Sequence, residues 1–95
     1  MAITRQGQVI RSTADNDQYD SGLKGLDIKG VRLVAGSGAD ATAQIRETDS
    51  NGGIVYSLAA VQKTADECVI EAKIDSGKFW VDISGAGAEV FVYLE

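Results

Sequence analysis

Histidine and proline are absent from the 95 residues, and cysteine, methionine and tryptophan occur once each. Without histidine there is no Ser-His-Asp or Cys-His arrangement and no imidazole to hold a metal. The lone Cys68 has no partner within the chain and cannot build a thiolate zinc site. No apolar run approaches the roughly 20 residues of a membrane-spanning helix. The start, Met1-Ala2-Ile3-Thr4-Arg5, does not read as a signal peptide. Positive charge is also scarce: nine Lys and Arg stand against fourteen Asp and Glu, for a net charge of −5. The basic residues are dispersed from Arg5 to Lys78, so a phosphate backbone would be repelled rather than gripped. The chain is therefore expected to be soluble, without membrane or nucleic-acid partners.

What is present reads as one all-β domain over residues 1–95. Eleven glycines fall mostly between apolar runs rich in Val, Ile and Thr. A hydrophobic content of 44% is enough for a small core without disulfide or metal. The expected architecture is an antiparallel β-sandwich of seven or eight short strands, jelly-roll-like, with Met1 to Gln8 as an N-terminal arm.

Three hairpins are expected in the second half. Asn51-Gly52 suits a two-residue type I′ turn. That register sets Ile45 against Leu58, Ala43 against Ala60, Arg46 opposite Ser57 and Thr48 opposite Val55. A turn at Ser76-Gly77 sets Ile74 against Phe79, Ala72 against Val81 and Ile70 against Ile83. A third hairpin, turning through Gly85-Ala86-Gly87, pairs Phe79 to Ile83 with Ala88 to Leu94. The alternation Cys68, Ile70, Ala72, Ile74 then places Cys68 on the core face as a buried, inert thiol.

In the first half, Gln8 to Thr13 reads as a strand and Ala14 to Gly22 as a loop by composition. Leu26 and Ile28 share one parity, whereas Val31, Leu33 and Ala35 share the other. The switch falls at Gly30, where either a β-bulge or a corner between two short strands would return both sets to one face. Gly36 to Asp40 reads as a flexible turn, and Val61 to Asp66 as a polar link from one sheet to another.

Few groups offer chemistry. Asp15, Asn16, Asp17 and Asp20 form the densest oxygen cluster, but they lack the glycine and terminal glutamate of an EF-hand loop and read as a solvated turn. Gly36-Ser37-Gly38 has neither the Lys-Ser/Thr ending nor the helix of a phosphate cradle. Carboxylates are plentiful, yet a glycosidase-like pair needs a deep cleft that a chain of this size has little material to build. No catalytic, cofactor or metal residues are therefore assigned.

Trp80 is the residue to single out. By parity it lies opposite Phe79, Val81 and Ile83, and the third hairpin brings it against Phe91 or Tyr93. Trp80, Phe91 and Tyr93 together form either a second core layer, an exposed aromatic pair or a contact surface.

The chain resembles the small β-rich structural proteins encoded among the virion genes of tailed bacteriophages, especially aquatic and cyanobacterial phages. The similarity lies in the Arg5-Gln6-Gly7 lead, Val31-Arg32-Leu33-Val34-Ala35-Gly36, and Ala43-Gln44-Ile45-Arg46 running into Asn51-Gly52. It continues in Gly77-Lys78-Phe79-Trp80-Val81-Asp82 and the closing Val90-Phe91-Val92-Tyr93. The resemblance implies a noncatalytic virion protein assembled in the host cytoplasm: a homo-oligomeric capsid decoration or cement subunit bound to the major capsid protein or another virion protein. The alternative is a tail or fibre accessory module, or a carbohydrate-binding sandwich used in host attachment.

Overall fold

The computed structural model describes residues 3–13, 17–22 and 25–94. Among them are ten strands: β1 (Ile3–Gln6), β2 (Val9–Ser12), β3 (Asp17–Asp20), β4 (Leu26–Val34), β5 (Ala41–Glu47), β6 (Ile54–Ala60), β7 (Ala65–Cys68), β8 (Ala72–Ile74), β9 (Lys78–Ser84) and β10 (Glu89–Leu94). They form two antiparallel sheets. The larger runs β1-β2-β10-β4, with β7 and β8 both paired to β4, and the smaller runs β3-β9-β5-β6.

The pairing is nested. β2 pairs with β10, β3 with β9, β4 with β7 and β8, and β5 with β6. The chain is thus a long antiparallel ribbon, hinged at the β5–β6 hairpin, whose successive rungs fall alternately in the two sheets. That winding is a jelly roll, with β1 added at the edge of the larger sheet.

Period-two alternation builds the core between the sheets. β9 and β5 turn Phe79, Val81, Ile83, Ala43 and Ile45 inward from the smaller sheet, and β4 and β10 turn Ile28, Leu33, Val90 and Val92 inward from the larger. Each fully buried Val, Leu, Ile or Phe contributes about 1.5–3 kcal/mol relative to an exposed position. Tyr19 on β3 stacks on its register partner Phe79, with ring centroids 5.2 Å apart. The loops at one end are sewn together by backbone bonds, from Ala35 N–H to the Thr64 carbonyl (2.9 Å) and from Lys63 N–H to the Gly36 carbonyl (3.0 Å).

The all-β sandwich and its jelly-roll winding are as expected from sequence, with ten strands instead of seven or eight. Gly30 is a bulge within one continuous strand: Tyr93 pairs with Gly30 but Leu94 pairs with Ile28, so Lys29 is passed over. The link after β6 does carry the chain from the smaller sheet to the larger.

Other expectations are corrected. In the lead segment, Ile3–Gln6 is a strand and Ile3 is buried, so this part is not an arm. Residues 17–20 are strand, not loop. The 36–40 turn is tied to its neighbours through Gly36. The β5–β6 hairpin is displaced by two residues: Ile45 pairs with Tyr56 and Ala43 with Leu58. The cause is the turn, in which the Asp49 carbonyl accepts from Gly52 N–H (3.0 Å) and the Asp49 carboxylate accepts from Asn51 N–H (2.9 Å). Its central residues are therefore Ser50 and Asn51, inside a longer loop closed from Glu47 N–H to the Gly53 carbonyl at 2.9 Å.

The second and third hairpins are absent, because β8 and β10 lie in the larger sheet and β9 in the smaller. Ser76-Gly77 and Gly85-Ala86-Gly87 are crossings between sheets. Ala72 and Val81 are not neighbours on one sheet, and Ile70, expected in the core, is 71% exposed.

Candidate functional site

The crossing after β9 separates the three aromatic residues singled out from sequence. Trp80 lies on the outer face of the smaller sheet; Phe91 and Tyr93 lie on the outer face of the larger, on the far side of the core. The expected Trp80–Phe91–Tyr93 cluster is therefore not formed.

On the smaller sheet, Trp80 stands between its register partners Gln18 and Arg46. Its indole N–H donates to Asp82 Oδ1 (2.9 Å), while Asp82 Oδ2 accepts from Arg46 Nε (3.2 Å). The remaining guanidinium nitrogens donate to the Gly52 carbonyl (3.2 Å) and to Gln44 Oε1 (3.0 Å). This face is a self-satisfied polar network around a half-buried indole. Its donors and acceptors are already engaged with one another.

The larger sheet differs. Phe91 is flanked in register by Arg11 and Arg32, which pair with Glu89 and Glu67 respectively. Tyr93 is flanked by Val9 and by Gly30, which carries no side chain. Beside Tyr93 the surface therefore sinks into a hollow of about 420 Å³, lined by Val9, Gly30, Val69, Tyr93 and Leu94, with Lys29 and Glu71 also on its wall. A second hollow, of about 440 Å³, is lined by Thr4, Gln6, Arg11 and Phe91 and shares Val9 with the first. Gly30 is required for space: a Cβ there would lie 2.9 Å from the Cys68 carbonyl oxygen.

The wall of the first hollow comes from the break between β7 and β8. Both strands pair with β4, but across the bulge residues 69–71 leave the edge, and Val69 and Ile70 stand 79% and 71% exposed. Tyr56, buried on β6, donates its hydroxyl to the Ile70 carbonyl at 2.7 Å and so pins this segment to the other sheet. Burial, with smaller contributions from nearby Cys68 and Glu71, pushes the Tyr56 hydroxyl from 10.0 up to about 12. Cys68 is half-buried against the core margin rather than enclosed.

Of the oxygen cluster, Asp15 and Asn16 lie outside the described residues. The Asp20 carboxylate is committed within the chain, accepting from Gly22 N–H at 2.8 Å and pairing with Lys78 at 3.8 Å. Among the described residues no three His, Cys, Asp or Glu side chains converge as a metal site.

The hollow was missed from sequence because continuous alternation was assumed through residues 68–74. The available signal was the consecutive pair Val69-Ile70, which cannot face one way in a strand. No protein-family model matches the chain, and no curated protein matches it.

Proposed function

We propose that the chain is a noncatalytic assembly subunit of a phage virion, a capsid decoration or cement protein that makes an assembly contact through the outer face of its larger sheet. The observation that carries this reading is the uncovered apolar surface around Tyr93, Phe91, Val9 and Val69 on a domain of only 95 residues. Apolar patches of this kind on small domains mark partner surfaces. A modest interface gains force when many copies act on a symmetric shell, because each additional contact is effectively intramolecular.

The jelly roll lends support by analogy alone, since the same winding serves viral capsid and lectin domains. The site favours the first over host attachment through a glycan. Sugar recognition calls for free hydrogen-bonding groups beside an aromatic ring, whereas those around Trp80 are bonded to one another.

Mass spectrometry of purified particles from the virus that carries this gene, with heads separated from tails, tests the reading. The expected result is the chain in heads, in many copies. Its absence from particles overturns the proposal, and its confinement to tails replaces it with the accessory-module reading.

A further inference from the structure

The hollow on the larger sheet and the projection beside it have the relationship that a two-fold contact between identical chains requires. In such a contact the same patch meets itself, so each copy must carry both a recess and something to fill it on one face. Here the recess is floored by Gly30 and walled by Val9 and Tyr93, and the neighbouring projection is Val69-Ile70, two β-branched side chains held outward by the Tyr56 bond. We infer that this face pairs two copies of the chain about a two-fold axis, with Val69-Ile70 of each copy entering the hollow of the other.

Charge agrees with a second copy as the occupant. Although the chain carries −5 overall, Arg11 and Arg32 on this face are neutralised by Glu89 and Glu67, so its charges offer little self-repulsion. Lys29 and Glu71, of opposite sign, both line the hollow, and neither has an ion-pair partner among the described residues. Across a two-fold axis, Lys29 of one copy meets Glu71 of the other, twice per dimer.

This inference rests on the reading of the face as an assembly surface, and one set of variants separates the two. Sedimentation velocity of the isolated chain, over low to high micromolar concentration, should show a monomer–dimer equilibrium. Lys29→Glu and Glu71→Lys should each weaken self-association at least tenfold. Mixing the two variants should restore a dimer, because both cross-axis pairs are then of opposite sign. Val69→Glu should abolish the dimer, whereas Val61→Glu, at a valine 63% exposed on a loop away from this face, should leave it unchanged. Circular dichroism of each variant confirms the fold. A wild-type chain that stays monomeric, or a mixture that fails to associate, overturns the two-copy contact. If Val69→Glu still loses binding to capsid heads in that case, the face remains an assembly surface for another protein. If it binds heads as the wild type does, the assembly role of this face falls as well.

Discussion

The hydroxyl of Tyr56 on the smaller sheet reaches the backbone carbonyl of Ile70, 2.7 Å away on the segment that breaks the edge of the larger sheet. This bond crosses the open side of the sandwich and holds the one place among the described residues where two consecutive large aliphatic residues face solvent. The position of the projection thus depends on a residue of the opposite sheet.

The raised pKa of Tyr56 makes that bond visible in a pH titration. In the folded chain the hydroxyl titrates at about 12, against 10.0 for an unperturbed tyrosine. The unfolded chain therefore releases this proton first. The contribution is fully present below about pH 10 and is lost as pH rises from there to about 12. Urea unfolding at steps from pH 8 to 12 should show this loss in the wild type and a shallower one in Tyr56→Phe. At pH 8, Tyr56→Phe should cost about 0.5–1.5 kcal/mol for the missing hydrogen bond.

Gly36 should not accept a side chain without movement of the loop end. A Cβ at this residue would overlap the Ala86 carbonyl oxygen and sit 3.0 Å from Gly87 Cα, so backbone must move to admit it. Gly38, two residues on, meets nothing within 4 Å. Gly36→Ala is expected to cost about 1–3 kcal/mol in thermal or urea unfolding, in the range for overpacking. Gly38→Ala should lie within about 0.5 kcal/mol of the wild type. Equal effects at the two positions would show that the loops are not packed as described.

How far the sequence reaches is clearest in β8, β9 and β10. Parity correctly placed Ile74, Phe79, Val81, Val90 and Val92 in the core, because a buried face demands alternation whichever strand lies alongside. The same alternation arises when the next strand pairs within the sheet and when it crosses to the opposite one, since both arrangements turn apolar residues inward. Hairpins and crossings were therefore indistinguishable by pattern. The aromatic cluster went with the hairpin: a shared outer face for Trp80, Phe91 and Tyr93 requires β9 and β10 to be in one sheet. Gly30 was legible for the opposite reason. A reversal of phase within a single apolar run has few physical causes, and a bulge satisfies it locally.

The half-buried Trp80 offers the last test, because the structure assigns it a network in place of a partner. Removing the indole N–H in Trp80→Phe leaves Asp82 still paired with Arg46. The side chains of that pair are 26% and 32% exposed, so it contributes no more than about 1 kcal/mol. Trp80→Phe should accordingly lower stability by about 0.5–1.5 kcal/mol. Asp82→Ala removes both bonds at once, so it should cost more than Trp80→Phe and should increase quenching of Trp80 fluorescence by acrylamide as the ring loosens. Neither variant should change self-association in sedimentation, since both residues lie on the sheet opposite Tyr93 and Val69. If Trp80→Phe instead disrupted association while leaving unfolding unchanged, the smaller sheet would be the contact face, and its polar network would have to open to receive the partner.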